Sequence, residues 1–322
     1  MANRELLVIN YHSILGIDPD PKINKNSYRS EEELERDIIF LKQHYHFVSL
    51  SAIIKYKLQG EKLPPNSVFL TFDDGLAVVY HKIRPILLKH QISAAFFLNP
   101  LFVDNKDLHY QRKKNLIAQS VSAMEVDAKQ IRWKALFTAY GIEANDFFVA
   151  LNSITYNKSA ILDELATLFN IDINQYLNHK QIYLSSRQVE QMIQDGFWFG
   201  GHSMDHPKYD EISLSEQINQ TLDSIDWVKK RFGLSYAIFA FPLRDHNMSI
   251  QLFEAIAPKS EITFGVMGMG NDVIPSHIQR VDVESTGVPI NIALRFEYLK
   301  YIVQGLFGRN KYDRPKQHKT QQ

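Results

Sequence analysis

The 322-residue chain contains no cysteine. Disulfides, thiolate nucleophiles and cysteine-ligated zinc are therefore excluded, and any metal must be held by histidine, aspartate or glutamate. Twelve histidines leave that route open. Net charge is also lacking, since 36 Lys and Arg balance 36 Asp and Glu. Such a chain has no global field suited to nucleic acid or to an electrostatic membrane anchor. Long apolar runs are missing as well. The apolar stretch between Met1–Glu5 and Asn10 is too short for a signal-peptide core, and nothing reaches transmembrane length. The expectation is a cytoplasmic protein, at most peripheral at the inner membrane face. No internal repeat or low-complexity tract is evident.

What is present is a strand–helix rhythm. Leu6-Leu7-Val8-Ile9 reads as a buried strand that emerges at Asn10-Tyr11-His12-Ser13. Asp18 to Ser27 reads as loop. Ser30 then begins a helix, with Glu31, Glu32 and Glu33 complementing its dipole and Leu34, Ile38 and Leu41 forming its stripe. Phe47 to Leu50 reads as a short strand, and Ser51 to Leu58 as a short helix. The apolar, β-branched and aromatic run Ser67 to Phe72 is a buried strand that ends in Asp73-Asp74-Gly75. A helix over Val78 to His90 and a strand over Ala94 to Leu98 follow. This order predicts parallel βα units, whose active sites gather at the C-terminal ends of strands.

Residues from about 105 to 183 break the rhythm with helical patterns at Ile117 to Tyr140, Ala144 to Leu151 and Ser159 to Phe169. They read as a helical insertion with a small core of its own. The rhythm resumes with a helix capped at Ser185 or Ser186 and a strand over Phe197-Trp198-Phe199. Gly200-Gly201-His202-Ser203-Met204-Asp205-His206 comes next, then a helix from Ser213 closed by Gly233. Further strands fall at Ala237 to Phe241, Ile262 to Val266 and Ile278 to Val283, the last containing Arg280. An apolar-leaning helix over Ile292 to Phe307 precedes Arg309, Lys311, Arg314, Lys316 and Lys319. That basic stretch, about 309–322, is expected to be a flexible tail making at most weak contact with an anionic membrane surface.

Two places could carry chemistry. Asp73 and Asp74 put two carboxylates at one strand end, which is costly unless a cation or a shared proton relieves it. As an isolated motif, Asp-Asp-Gly reads rather as a turn that caps the next helix. His202 and His206, spaced i, i+4, can converge on one ion, with two glycines allowing close backbone approach. Two histidines and one aspartate make a three-ligand site with room for water. The second aspartate is then free to act as base. A lone His12 reads as a structural histidine until something joins it to this group.

These residues resemble the polysaccharide deacetylases, carbohydrate esterase family four. The family's first motif, Thr-Phe-Asp-Asp-Gly, stands unaltered at Thr71 to Gly75, and its second at His202-Ser203-Met204-Asp205-His206. The resemblance covers roughly residues 6–100 and 185–285. It implies an α/β fold, a distorted (β/α) barrel carrying a helical insertion, within one catalytic domain over 1–322. It implies one divalent metal ion, most simply Zn2+, held by Asp74, His202 and His206, with Asp73 as base and a metal-bound water as nucleophile. The third motif, Arg-x-Pro-Tyr, appears as Ala240-Phe241-Pro242-Leu243. Its oxyanion-hole N–H is still supplied by Leu243, but its Arg is gone, leaving Arg244 or Arg280 as substitutes. The family's C-terminal Leu-x-His is absent. Ile9-Asn10-Tyr11-His12 resembles instead the circularly permuted branch acting on exopolysaccharides, which implies His12 as the acid, with His246 as runner-up. The implied activity is removal of an N-acyl, most simply N-acetyl, group from an amino sugar. The substrate would be a saccharide, a sugar nucleotide or a lipid-linked glycan, with no nucleic acid partner. Two alternatives stand beside it: a non-catalytic carbohydrate-binding relative, and a hydrolase of another linear amide.

Overall fold

A computed structural model describes residues 5–14, 29–284 and 286–317. The loop expected at Asp18 to Ser27 and the last basic residue, Lys319, lie outside the described residues. The chain divides into two compact units. One runs to Asp104 and resumes at Ile182, and the other holds Asn105–Gln181.

The larger unit is built from β1 (Leu6–Tyr11), α1 (Glu31–His44), β2 (His46–Phe47), α2 (Leu50–Gln59), β3 (Ser67–Phe72), α3 (Arg84–His90) and β4 (Ala94–Leu98) before the insertion. Local chemistry sets several boundaries. Ser30 caps α1 in a reciprocal box with Glu33, satisfying two backbone donors at once. Leu50 opens α2 behind a Ser49 cap, so the strand expected over Phe47 to Leu50 is confined to His46–Phe47. The helix expected over Val78 to His90 begins with a wide π turn at Val79–Ile83, with Pro85 in the first turn of α3.

In the smaller unit lie α4 (Tyr110–Ser120), α5 (Ala123–Ala128), α6 (Gln130–Ala139), α7 (Phe147–Ser153), α8 (Ile161–Leu168) and α9 (Ile173–His179). The long pattern Ile117 to Tyr140 is broken, because Ser122 caps a new helix in a box with Glu125. Trp133, Phe137, Phe147 and Phe169 pack with Ile161, Leu162 and Leu165 into a core of this unit's own residues.

The larger unit resumes with α10 (Ser186–Gln194), β5 (Trp198–Gly201), α11 (Leu214–Phe232), β6 (Ile238–Ala240), α12 (Ile250–Ile256), β7 (Ile262–Gly265), β8 (Asn271–Asp272), β9 (His277–Gln279), β10 (Val281–Asp282), α13 (Ile290–Leu306) and β11 (Lys311–Tyr312). Its main sheet is wholly parallel, in the order β10-β1-β3-β4-β5-β6-β7-β9, with β2 also pairing β3. The strand expected over Ile278 to Val283 is split at Arg280. Its first half pairs with β7 and its second with β1, so this one segment joins the two edges of the sheet. The result is a nearly closed (β/α) barrel. Alternate side chains fill its interior: Val8, Phe69, Ala95, Phe97, Ile238, Ile262, Phe264 and Ile278 form one buried cluster. No helix among the described residues is long and apolar enough to cross a membrane.

The stretch read as a flexible basic tail is structured as far as it is described. Lys311–Tyr312 pairs with β8, and Arg314 is buried. Its guanidinium lies between Asp245 and Asp272, with Nη2 2.6 Å from Asp272 Oδ2. His277 and Gln279 complete the same network on Asp245. The group Asp245, Asp272 and His277 has metal-like spacing, but Arg314 already supplies its positive charge.

Close packing makes Gly200 indispensable. A Cβ there would sit 2.6 Å from Ile238 O and 2.8 Å from the Phe97 ring. Gly200→Ala should therefore cost about 1–3 kcal/mol of stability through overpacking, read as a lowered thermal unfolding midpoint. An unchanged midpoint would mean that β5 shifts at no cost.

Candidate active site

Every site residue picked from the sequence except His246 follows a barrel strand closely. His12 follows β1, Asp73 and Asp74 follow β3, His202 follows β5, and Leu243 lies just beyond β6. His206 lies four residues beyond His202 on the same loop. This is the C-terminal rim, where parallel strands of a barrel present catalytic side chains.

Asp73 continues the inward alternation of Phe69 and Thr71, as Arg280 continues that of Ile278. The two therefore meet at the top of the barrel interior. Arg280 grips Asp73 through both carboxylate oxygens, at 2.7 and 2.8 Å. Nη1 also donates to Asn10 Oδ1 at 2.7 Å, and Nε to the Gly265 carbonyl at 3.0 Å. Both members of the pair are buried. Burial pushes the Asp73 carboxyl up, but Arg280, His202 and His12 outweigh it and hold it below its ordinary value. Of the two substitutes considered for the missing motif Arg, the structure thus selects Arg280. Arg244 is exposed.

Asp74, one residue on, turns the other way, with a φ of 71°. Its Oδ1 lies 3.4 Å from Nε2 of both His202 and His206. One ligand atom from each of the three residues falls within 4.8 Å of the others. Nδ1 of His202 is 2.8 Å from the Ala240 carbonyl, which can only accept. That nitrogen therefore carries the proton, and Nε2 turns a lone pair toward Asp74. Asp74 Oδ1 is buried and accepts no hydrogen bond. A buried carboxylate oxygen facing an imidazole lone pair is unfavourable unless a cation sits between them. Burial lowers His206 to about 4, so it is neutral near pH 7, as a ligand must be. The three residues fit a divalent metal.

His12 stands beside Asp73, with Nε2 4.0 Å from Asp73 Oδ2. Its Nδ1 is 3.0 Å from Glu284 Oε2, and Glu284 also accepts the backbone N–H groups of His12 and Ser13. Burial opposes the charge on His12, but Glu284, Asp74 and Asp73 raise it to about 10. The ring keeps 38% of its surface exposed, so solvent moderates the size of that shift without changing its sign. Glu284 was not picked out from the sequence. Its signal was slight, a carboxylate four residues after Arg280 and two past the end of β10. His246 is exposed, and none of the described contacts tie it to this group.

Backbone conformation marks the same place. Left-handed non-glycine residues elsewhere are Asn66, Gln91, Asp104, Asn105 and Asn170, mostly Asn and Asp types that tolerate it. At the rim they are Asp74, Ser203, His206 and Leu243. Leu243, at φ 56° and 49% exposed, gains nothing evident in packing from that conformation. Such strain gathers where side chains or backbone groups must be aimed.

A parallel barrel that brings two histidines and an aspartate together, beside an arginine-held aspartate, has the donor set of a candidate metal centre next to a carboxylate base. Residues 60–256 match the polysaccharide deacetylase family, over half of the chain, and the chain belongs to it. Over 113 residues it is 33% identical to a poly-β-1,6-N-acetyl-D-glucosamine N-deacetylase of Staphylococcus epidermidis, covering 32% of this chain and 39% of that one. A Staphylococcus aureus enzyme of the same name is 31% identical over the same length. The match thus spans about two fifths of these curated relatives. Among solved structures, the Streptococcus pyogenes deacetylase PplD, in complex with acetate, aligns with a TM-score of 0.58 at 15% identity, over 92% of this chain and 99% of that one. IcaB from Ammonifex degensii aligns at 0.55 and 16% identity, over 91% and 96%. These likenesses are of fold.

His206→Ala should lose a divalent ion that the purified protein otherwise holds, whereas Asp73→Asn should keep it, as measured by elemental analysis. A full equivalent of metal on His206→Ala would overturn the ligand set.

Proposed function

We propose that this chain is a metal-dependent N-deacetylase of an amino-sugar glycan. The observation that carries the reading is the pairing of Asp73, locked by Arg280, with the cation-deficient group Asp74, His202 and His206. Poly-β-1,6-linked N-acetylglucosamine is the polymer named for the staphylococcal relatives, and it is the substrate class proposed here. Sugar nucleotides and lipid-linked glycans bear the same acyl group and remain within that chemistry.

Asp74, His202 and His206 would hold the ion, Zn2+ being best suited to two imidazoles and a carboxylate. When bound, it supplies Lewis acidity, making water more acidic and the acyl oxygen more polarised. Asp73 takes the proton of the attacking water, and Arg280 keeps its carboxylate ionised and aimed. The Leu243 N–H donates to the oxygen that gains negative charge as the carbonyl carbon becomes tetrahedral. His12, protonated and held by Glu284, gives its proton to the nitrogen as the C–N bond breaks. Water and amide become a free amine and acetate.

Acetate release from β-1,6-linked N-acetylglucosamine oligomers tests the reading directly. Asp73→Asn should lower turnover by about 10²–10⁴-fold, the usual worth of a positioned base. Zinc-loaded wild type that releases acetate from no N-acetylated saccharide would refute the proposal.

Glu284→Gln gives a test of the acid. Glu284 raises His12, so the protonated form persists to higher pH and is lost as pH rises through that value. Removing the charge lowers the His12 pKa, and the alkaline limb of the pH–rate profile should move to lower pH. The ion's own charge is common to both proteins and leaves that direction intact. An alkaline limb that stays in place would remove His12 as the acid.

A further inference from the structure

The last helix has an apolar side that none of the described residues covers. The inner face of α13 is accounted for, with Ile290, Ala293, Leu294 and Tyr298 buried. Its outer face carries Ile292, Phe296, Leu299, Val303, Leu306 and Phe307, exposed from 38% at Ile292 to 78% at Leu306. At 3.6 residues per turn these six fall within about 100° of arc. A helix apolar on both sides is expected between two apolar media, and the described residues supply only one of them.

The charges around the stripe say what suits it. Arg295 projects on one flank and Lys300 on the other, both exposed. Lys300 lies 3.5 Å from Glu297 but stays half exposed. Just beyond the helix, Arg309, Lys311 and Lys316 are exposed, against one exposed acid, Asp313. A groove of about 280 Å³ runs alongside, lined by Phe40, Tyr45, Tyr298, Leu299 and Ile302, with Arg295 among its walls. A second copy of the same face would bring these cations against one another, whereas lipid phosphates would meet them with the opposite charge.

We infer that α13 is an interfacial helix that lays its outer stripe into an anionic lipid surface. Ile292, Phe296, Leu299, Val303, Leu306 and Phe307 enter the boundary between headgroups and acyl chains. Arg295, Lys300, Arg309, Lys311 and Lys316 pair with phosphates at the same depth. Attachment is reversible, since apolar insertion and charge contribute together and neither amounts to a spanning segment. This surface shares no residue with the candidate active site, and its test does not depend on the proposed reaction.

The full chain would be floated with phosphatidylcholine vesicles containing or lacking phosphatidylglycerol, at low and high salt. Wild type should float with the anionic vesicles and lose most of that binding in high salt or with neutral vesicles. Phe296→Glu with Leu299→Glu should lower partitioning at least about tenfold. Since both side chains are exposed, the variant's thermal unfolding midpoint should match wild type. The inference falls if wild type stays unbound to anionic vesicles at low salt, or if the double variant binds equally well. It also falls if light scattering shows wild type to be a dimer that the variant dissolves while vesicles bind neither protein.

Discussion

The structure depends most on one buried ion pair, Arg280 with Asp73. Arg280 sits where the closing strand breaks, and its two halves bond to β7 and β1. The same residue therefore joins the sheet edges and neutralises the charge at the head of β3. Leaving either partner alone in that interior would cost several kcal/mol, on the order of 3–5. Nature's usual objection to buried charge becomes useful here. The carboxylate is kept ionised in the buried interior, with its Oδ2 4.0 Å from His12 Nε2.

Around that pair, each neighbour has a distinct electrostatic task. Asp74 follows Asp73 directly, yet the left-handed turn between them separates an arginine-bound carboxylate from one that faces two imidazoles. Glu284 does for His12 what Arg280 does for Asp73, with the sign reversed. A carboxylate held low and an imidazole held high, 4.0 Å apart, suit the base and acid roles proposed for them. Arg314 applies the same logic away from the chemistry. Its guanidinium occupies an acidic cluster that also contains Asp245, three residues past Pro242 on the loop bearing Leu243.

Much of this was legible in residues close together along the chain. Ser30, Ser185 and Ser213 announce helices through capping chemistry that a few neighbouring residues complete. Asp73, Asp74, His202 and His206 stand at strand ends that apolar runs make visible. Arg314 was misread as tail because its charge partners, Asp245 and Asp272, lie 69 and 42 residues away. Glu284 went unseen for the same reason, being 272 residues from His12.

By itself the sequence determined the βα rhythm, the helical insertion and the family, and it picked out the candidate group Asp74, His202 and His206, because each rests on local periodicity or on motifs of a few residues. Only the tertiary structure decided which arginine pairs with Asp73, which carboxylate holds His12, and that the basic tail is partly buried. Those are questions of charge meeting charge across the barrel. The answer lies in which residues share an interior, which no local pattern carries.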